Sequence, residues 1–383
     1  MHSGPAGVLL VHSSSGRYGA DRQLHLIATG LDRERYEPVV VLPSEGPLAD
    51  DLRGAGVEVL VAPLAVLRRD QASARGAAGI AVQAARDAAT LARLIRRRKL
   101  VLVHSNTSVV LGGAATAAFA RVPHVWHVRE IYDRFGRLWP PYRTLLQTAS
   151  ALPCVSHATA AQFGRSDRVQ TIADGLASDP VRAPHADARR ALGLRDDDAV
   201  LAVLGRVSDW KGQDVLVRAL AEPPLREREA IALVAGEAWP GAEHRAGAVL
   251  ELARALGVSE RVRMLGFRDD LDTVLGAADL IAVPSTSPDP LPGAAIEAAA
   301  AGCAVIASAH GGLPEIIRDR ETGRLVPPGD PAALAAAAAE LLDDPFERTR
   351  LGEAAALDVR RRYAASLLLD SIQALYDSVL AGR

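Results

Sequence analysis

The chain has 383 residues, enough for roughly two to three domains at about 150 residues each. Hydrophobic residues make up 49% and charged residues 23%, which excludes a disordered chain and a coiled coil. Lys and Arg total 44 against 46 Asp and Glu, a net charge of −2. We therefore expect no nucleic-acid partner, and any anion site must be local.

The two cysteines, Cys154 and Cys303, lie far apart and form no disulfide or metal-binding pattern. They favour a reducing compartment, so we expect a cytoplasmic protein. Residues 8–11 are too short an apolar run for a signal peptide and lack a basic leader, so they predict a first strand. No stretch reaches the roughly 18 apolar residues of a membrane span.

Short apolar runs alternate with helical segments in both halves of the chain. This pattern predicts an α/β protein with two parallel sheets, that is, two Rossmann-like domains that face one another across a deep cleft. The predicted strands are residues 8–11, 38–42, 57–61, 100–104 and 124–128, then 199–204, 230–235, 262–265, 280–283 and 304–307.

Pro, Gly and Asp concentrate between residues 174 and 198, where we place a hinge. We expect a first domain over 1–175, a second over 176–360, and a C-terminal helix over 361–383 that packs across the junction. Ligands of such sheets sit at the carboxyl ends of the strands, so function is sought in the loops that follow them.

In the first half, the loop HSSSGRYGADRQL places Gly16 and Gly19 around Tyr18, ahead of a predicted helix. Such glycines allow a phosphate or a sugar to approach the backbone, and a simple tight turn is the alternative. The run PHVWHVREIYDRFG places His127, Arg129 and Glu130 at a strand end. A packed histidine is the alternative for His127, and we hypothesise an Arg129–Glu130 ion pair that shapes an acceptor pocket.

A basic segment, RLIRRRK over residues 93–99, closes a predicted helix. Cations suit a helix C-terminus, which is the structural explanation. The functional alternative is peripheral contact with an anionic membrane surface that carries a lipid-linked acceptor.

In the second half, the segment VLAVLGRVSDWKGQDVLVRAL reads as strand, loop and helix, with Arg206 and Lys211 beside the helix start. Two cations at a helix N-terminus can clamp a diphosphate, and two solvated charges on a loop are the alternative. Lys211 is one of only two lysines in the chain, the other being Lys99, which favours a chemical role.

The run PSTSPDPLPGAAIEAAAAG places Asp289 in a loop and Glu297 one turn into the following helix. Both carboxylates can face the same cleft. A turn or capping aspartate and a helix-surface glutamate are the alternatives, although an unpaired charge in so apolar a stretch is costly.

Several motifs together resemble a known family: G-R-x-S-x-x-K-G, an acidic residue followed after seven residues by Glu, then GGLPEII and TGRLVPPGD. The chain is similar over nearly its whole length to retaining glycosyltransferases of family 4, which have the GT-B fold. It departs from the family pattern at Asp289, where Glu is usual, and at Pro292, which has no backbone N–H to donate.

The resemblance implies roles for the residues above. Glu297 binds the donor ribose, Asp289 contacts the donor sugar, and Arg206 and Lys211 neutralise the diphosphate. His127 lies beside the reacting carbon. The remaining implied contacts are to the donor from Gly16, Gly266, Phe267, Arg268, Leu291, Gly293 and Ala294, and to the acceptor from Tyr18, Gly19, Arg129 and Glu130.

The resemblance implies transfer of a sugar from a nucleoside diphosphate donor to a hydroxyl acceptor, with retention of configuration, no metal and no further cofactor. The acceptor would be a cell-envelope polysaccharide or a lipid-linked glycan, with a natural-product aglycone as the alternative. A nucleotide-sugar epimerase and a catalytically silent nucleotide-sugar binding protein are the rival functions. The sequence does not predict the oligomeric state.

Overall fold

A computed structural model describes residues 4–67, 74–239 and 241–382. Two compact units divide the chain: one comprises the residues up to Ala177 together with those from Ala365 onward, and the other runs Ser178–Ala364. Among the described residues, no helix combines the length and the apolar character needed to cross a membrane.

The first unit is built on a parallel sheet with strand order β3-β2-β1-β4-β5. Two further strands, β6 and β7, pair with each other, and single bridges connect β6 to the end of β5. The strands are β1 (Ala6–Val11), β2 (Tyr36–Leu42), β3 (Glu58–Val61), β4 (Leu100–Ser105), β5 (His124–Trp126), β6 (Leu152–Cys154) and β7 (Val169–Thr171).

Helices cover this sheet, and the last of them comes from the C-terminal end of the chain. They are α1 (Gly19–Gly30), α2 (Pro47–Gly54), α3 (Ala74–Arg98), α4 (Leu111–Ala120), α5 (Trp139–Leu146), α6 (His157–Ala161) and, after the second unit, α16 (Ala365–Ala381).

Strand β1 shows why a parallel sheet needs both faces covered. Val8 and Leu10 pack into a core with α1, α2 and α16, whereas Leu9 and Val11 pack into a second core with α3 and α4. All four side chains are fully buried, because alternate residues of a strand point to opposite faces and each face is covered by helices.

The second unit contains a six-stranded parallel sheet of order β10-β9-β8-β11-β12-β13. Its strands are β8 (Val200–Leu204), β9 (Ile231–Ala235), β10 (Val262–Gly266), β11 (Leu280–Val283), β12 (Ala304–Ser308) and β13 (Arg324–Val326). Its helices are α7 (His185–Ala191), α8 (Gln213–Ala221), α9 (Pro223–Arg226), α10 (His244–Ala255), α11 (Leu271–Ala277), α12 (Gly293–Ala300), α13 (Leu313–Ile316), α14 (Pro331–Asp343) and α15 (Pro345–Arg362).

The ten predicted strands are confirmed, with ends that agree to within two residues. The strand predicted over 124–128 ends at Trp126. The amide of His127 still donates to the carbonyl of Ser105 at the end of β4, but the amide of Val128 turns away from β4 to the carbonyl of Pro153 in β6. Strands β6, β7 and β13 were not predicted, since each has only three residues and shows no readable periodicity.

Candidate functional site

In the second unit, the candidate site lies where the strand order reverses. Strand β8 is the first strand in sequence and pairs with β9 on one side and β11 on the other. Helices that leave two such neighbouring strands lie on opposite faces of the sheet, so a crevice opens between their loops. Lys211 follows β8 and Asp289 follows β11, one on each side of this crevice.

Lys211 and Asp289 form an ion pair across the crevice. The Nζ of Lys211 donates to Oδ2 of Asp289 at 2.6 Å, with 21% of the lysine side chain and 6% of the aspartate side chain exposed. The Lys211 ammonium also lies 4.4 Å from the ring centre of Trp210. Asp289 therefore holds the partly buried ammonium of Lys211 at this crevice. The sequence analysis had given the two residues separate roles, Lys211 at the diphosphate and Asp289 at the donor sugar.

Two glycines allow the loops of this site to touch. Gly212 has φ +76°, and a Cβ there would lie 1.9 Å from the carbonyl oxygen of Pro284. Gly311 has φ +60°, and its Cβ would lie 2.4 Å from the carbonyl oxygen of Asp289. Any side chain would push the loops apart, which explains both the Lys-Gly and the Gly-Gly of the sequence motifs.

Arg206 lies in the loop that follows β8, five residues before Lys211. Its guanidinium carbon lies 3.2 Å from the ring centre of Trp239, a cation–π contact with an indole that is half exposed in the loop after β9. The sequence predicted Arg206 and Lys211 beside the start of α8, and the structure places the helix start at Gln213 as expected. The contribution of Trp239 was missed, because nothing in its local sequence marks a partner about thirty residues away.

The loop after β11 leads directly into α12, which begins at Gly293 with Pro292 as its N-cap. The amides of Gly293 and Ala294 therefore belong to the first turn, where N–H groups lack intrahelical acceptors. Glu297 is half-buried one turn later, and its Oε1 lies 3.9 Å from the point that a Cβ on Gly293 would occupy. Leu291 is buried beneath the loop.

The loop after β10 holds the residues expected around the nucleobase. Gly266 has φ +67°, and its carbonyl accepts a 2.7 Å hydrogen bond from Gly236, so the loops after β9 and β10 are tied together. Phe267 is partly exposed. Arg268 forms an ion pair with Asp270 rather than extending alone.

In the first unit, the loop after β1 is organised around Asp21. This buried carboxylate accepts hydrogen bonds from Ser14 and from the main-chain N–H of Tyr18, and its Oδ1 lies 2.9 Å from Nε2 of His12. Burial alone would raise the pKa of Asp21, but these hydrogen bonds and the nearby His12 lower it overall. A Cβ on Gly16 would lie 3.0 Å from this carboxylate, so a larger residue at position 16 would crowd Asp21.

Gly19 begins α1 and is exposed, with no described atom within 4 Å of the place a Cβ would take. Tyr18 is the N-cap residue of that helix and is partly buried. The main chain of both residues thus lies at the first turn of a helix, which is where the sequence expected a ligand to approach.

His127 follows β5 and is fully buried beside a second histidine. Its ring stacks on that of His104 with centres 5.5 Å apart and planes 19° from parallel. Burial, with help from the charge of Arg129, lowers the pKa of His127 well below its ordinary value, and burial lowers the pKa of His104 to about 3. Both imidazoles are therefore neutral at physiological pH.

The hypothesised Arg129–Glu130 ion pair is wrong. The guanidinium of Arg129 pairs with Asp174, and its Nε donates to the carbonyl of Asn106 at 2.8 Å. The carboxylate of Glu130 instead accepts from the hydroxyl and amide of Ser108 and from the amide of Arg129. Asp174 lies 45 residues away from Arg129 in the chain, a distance over which the sequence carries no pairing signal.

A cavity of about 290 Å³ opens beside Glu130. Tyr132 and Trp139 contribute stacked rings to it, 5.0 Å apart between centres. The Tyr132 hydroxyl lies 2.7 Å from Oγ of Ser108, which also binds Glu130. The cavity is lined by Ile131, Tyr132, Asp133, Gly136, Trp139 and Gln162.

The predicted residues thus fall into two groups, one in each unit. His127, Arg129, Glu130 and the loop of Gly16, Tyr18 and Gly19 belong to the first unit, and the others belong to the second. Among the described residues, no group of three or more His, Cys, Asp or Glu side chains is arranged to hold a metal ion.

Two units, each built on a parallel sheet with polar side chains at the carboxyl ends of its strands, have the architecture of the GT-B fold. Solved structures agree. The Anabaena protein HepE, solved in complex with UDP-glucose, matches with a TM-score of 0.83 at 25% identity over 97% of this chain and 99% of that one. Sucrose-phosphate synthase from Thermosynechococcus elongatus matches with a TM-score of 0.81 at 21% identity over 99% and 100%.

Sequence families give the more specific assignment. Residues 18–176 match the family described as Glycosyltransferase Family 4, and residues 185–358 match Glycosyl transferases group 1. The chain belongs to the family 4 glycosyltransferases.

Curated relatives are similar over part of their length. A D-inositol 3-phosphate glycosyltransferase of Salinispora arenicola is 39% identical over 51% of this chain and 43% of that protein. One of Corynebacterium diphtheriae is 41% identical over 44% of this chain and 40% of that protein. The matched region spans less than half of these two relatives.

Proposed function

We propose that this glycosyltransferase moves a sugar from a nucleoside diphosphate donor to a hydroxyl group of an acceptor and retains the anomeric configuration. The observation that carries the proposal is the Lys211–Asp289 pair at the switch point of the second unit. The ammonium of Lys211 lies at the ends of the strands, where it can bind a diphosphate, and the carboxylate of Asp289 beside it can accept hydrogen bonds from sugar hydroxyls.

The donor diphosphate would lie between the two cations that follow β8. Arg206 and Lys211 would neutralise it as the bond to the sugar breaks, which stabilises the leaving group by charge-assisted hydrogen bonds. Because these groups supply the positive charge, we propose that transfer needs no metal ion and no further cofactor, and EDTA should leave the initial rate unchanged.

The rest of the donor would be held by the loops around α12 and β10. Glu297 would accept hydrogen bonds from the ribose hydroxyls, and the first amides of α12, with that of Leu291, would bind sugar or phosphate oxygens. The segment 266–268 would lie along the base. UDP is the first nucleotide to test, since HepE was solved with UDP-glucose.

The acceptor would bind in the first unit. Its hydroxyl would approach the reacting carbon near His127, while the main chain at Tyr18 and Gly19 would contact the rest of it. Arg129 and Glu130 are both occupied by other parts of the fold, so we propose that they stiffen the wall of the acceptor site. The neighbouring 290 Å³ cavity with its stacked Tyr132 and Trp139 offers an aromatic surface to the acceptor.

In this reaction the bond from the anomeric carbon to the diphosphate oxygen breaks and a bond to the acceptor oxygen forms on the same face. The acceptor proton goes to the departing diphosphate. Proton NMR of the product tests this step: the anomeric coupling constant should match that of the donor, and the opposite configuration would contradict it.

We propose a cell-envelope polysaccharide or a lipid-linked glycan as the acceptor. A panel that also contains inositol 3-phosphate and a natural-product aglycone tests this choice, with UDP release as the readout. A matched incubation without acceptor shows whether the sugar is instead epimerised, and binding without any turnover would indicate a silent binding protein.

We propose peripheral contact with the inner face of the cytoplasmic membrane as the functional role of the basic segment 93–99, whose structural explanation is that cations suit a helix C-terminus. The basic side chains of residues 93–99 are exposed at the end of α3, and Arg98 pairs with Glu58. Each such cation near an anionic surface contributes about 1 kcal/mol. Sedimentation with vesicles that contain anionic lipid should carry the protein down at low salt, and absence of binding would contradict the membrane contact.

A further inference from the structure

The two stacked histidines of the first unit leave buried nitrogens without hydrogen bonds. In the described part of the chain, no hydrogen bond of good geometry reaches either ring nitrogen of His127 or Nε2 of His104, although the main chain of Ile172 makes a weaker polar contact with the His127 ring. Folded proteins pair nearly all such atoms, so ring nitrogens without a well-formed hydrogen bond in one stack leave this place able to bind a polar ligand.

The one remaining nitrogen of the pair is bound by the C-terminal helix. Nδ1 of His104 lies 2.6 Å from the hydroxyl of Tyr376 on α16. Burial raises the pKa of Tyr376 well above its ordinary value, so this hydroxyl keeps its proton. When the phenol donates to Nδ1, the imidazole proton of His104 lies on Nε2.

Tyr376 is itself held firmly. It is fully buried, and the ring of Tyr36 meets it edge to face with centres 5.4 Å apart. The Tyr376 ring in turn meets the His104 ring at 82°, with 5.7 Å between centres. The orientation of His104 is thus set from two directions, by a hydrogen bond and by an aromatic edge.

We propose that Tyr376 is a positioning residue for His127. Its hydroxyl fixes the tautomer and the plane of His104, and the stacked His104 ring holds His127 in the orientation that presents its nitrogens to the donor sugar. The inference rests on the proposed function for the role of His127, but the contacts themselves do not depend on it.

The sequence could not show this arrangement, because Tyr376 follows His104 by 272 residues and lies outside every motif. Its consequence is that α16, the last helix of the chain, takes part in shaping the active site of the first unit.

The test compares Tyr376→Phe with Tyr36→Phe in the full-length protein. Both variants remove one buried hydroxyl at the interface with α16, but the Tyr36 hydroxyl donates to Asp377 at 2.6 Å and touches no histidine. The two readouts are the ring-nitrogen signals of the histidines by ¹⁵N NMR in the free protein, assigned with His104→Gln and His127→Gln, and the kinetics of UDP release from UDP-glucose.

Tyr376→Phe should shift the ring-nitrogen signals of His104 and His127 and lower kcat about tenfold with an unchanged KM, as expected for loss of one hydrogen bond that orients a catalytic group. Tyr36→Phe should leave the signals and kcat as they are. His127 signals that do not move in Tyr376→Phe, or that move equally in both variants, would overturn the proposal, as would an unchanged kcat.

If the Tyr376→Phe protein does not fold, a second variant, His104→Asn, tests the same proposal. Asparagine keeps a partner for the Tyr376 hydroxyl but removes the ring that stacks on His127, so it should also move the His127 signals and lower kcat. The NMR signals are read without substrate, so a wild-type protein that releases no UDP would refute the proposed donor and still leave the contacts from Tyr376 to His127 tested.

Discussion

Acidification should destabilise the first unit through its buried histidines. Burial lowers the pKa of His104 and of His124 to about 3 and lowers that of His127 well below its ordinary value. Unfolded, each imidazole titrates near its usual pKa of about 6.5. Below that pH the unfolded chain binds more protons than the folded one, so the stability that these groups contribute is complete above about pH 6.5 and falls as the pH falls.

The size of the effect follows from these pKa differences. Between pH 7 and pH 5 a buried imidazole with a pKa of about 3 costs about 2 kcal/mol of the free energy of unfolding, so His104 and His124 together cost about 4 kcal/mol, and His127 acts in the same direction. That is comparable with the whole stability of a typical domain, about 5 to 15 kcal/mol.

Three carboxyl groups act in the opposite direction, because burial raises the pKa of Asp87, Glu130 and Asp174, and the folded state therefore holds their protons more tightly.

A variant isolates the contribution of one histidine from these opposing groups. His124→Gln keeps an amide within reach of Ser105, whose hydroxyl lies 2.9 Å from Nε2 of His124. Urea unfolding at pH 7 and pH 5 should show a loss of stability smaller by about 2 kcal/mol in His124→Gln than in the wild type. His157→Gln, at an exposed position, is the control and should lose as much as the wild type. Equal losses in His124→Gln and the wild type would refute the reasoning.

Two further predictions concern the second unit. Asp289→Asn removes a negative charge 2.6 Å from the Lys211 ammonium. The variant should bind UDP several-fold more tightly in calorimetry and should no longer transfer sugar. Weaker UDP binding would contradict the placement of the diphosphate. Gly311 has a φ of +60°, and the Cβ of an alanine there would lie 2.4 Å from a carbonyl oxygen. Gly329 has a similar φ of +73°, but a Cβ there would meet no described atom within 4 Å. Thermal unfolding should show the Gly311→Ala variant to be less stable than the Gly329→Ala variant by about 1 to 3 kcal/mol. Equal stabilities would contradict the prediction and would show that the loops can move apart at no cost.

Much of the fold could be predicted from the sequence, because buried parallel strands are apolar on both faces and end at glycines and turns. Strand β8 and the loop with Lys211 are examples, since the apolar run, the loop and the helix start at Gln213 are all local signals. Three-residue strands such as β13 give no such signal and are found only through their neighbours.

The site was predictable in its residue types but not in its pairings. Asp289 and Lys211 were both identified as donor residues, yet their ion pair depends on two strands meeting at the switch point, which no local pattern shows. The same holds for Arg129, whose partner is Asp174 and not the adjacent Glu130. Neighbours in sequence are the natural first hypothesis, and the fold supplies partners from elsewhere.

The most direct test of the donor site is thermal unfolding with and without UDP for the wild type, Lys211→Ala and Lys99→Ala. Lys99 is the other lysine of the chain and is exposed at the end of α3, so its variant is a matched control. A ligand at a hundredfold excess over Kd stabilises the folded state by about 2.7 kcal/mol. UDP should raise the Tm of the wild type and of Lys99→Ala, and should raise that of Lys211→Ala much less. Equal shifts in all three proteins, or no shift in any, would contradict a nucleoside diphosphate site at Lys211.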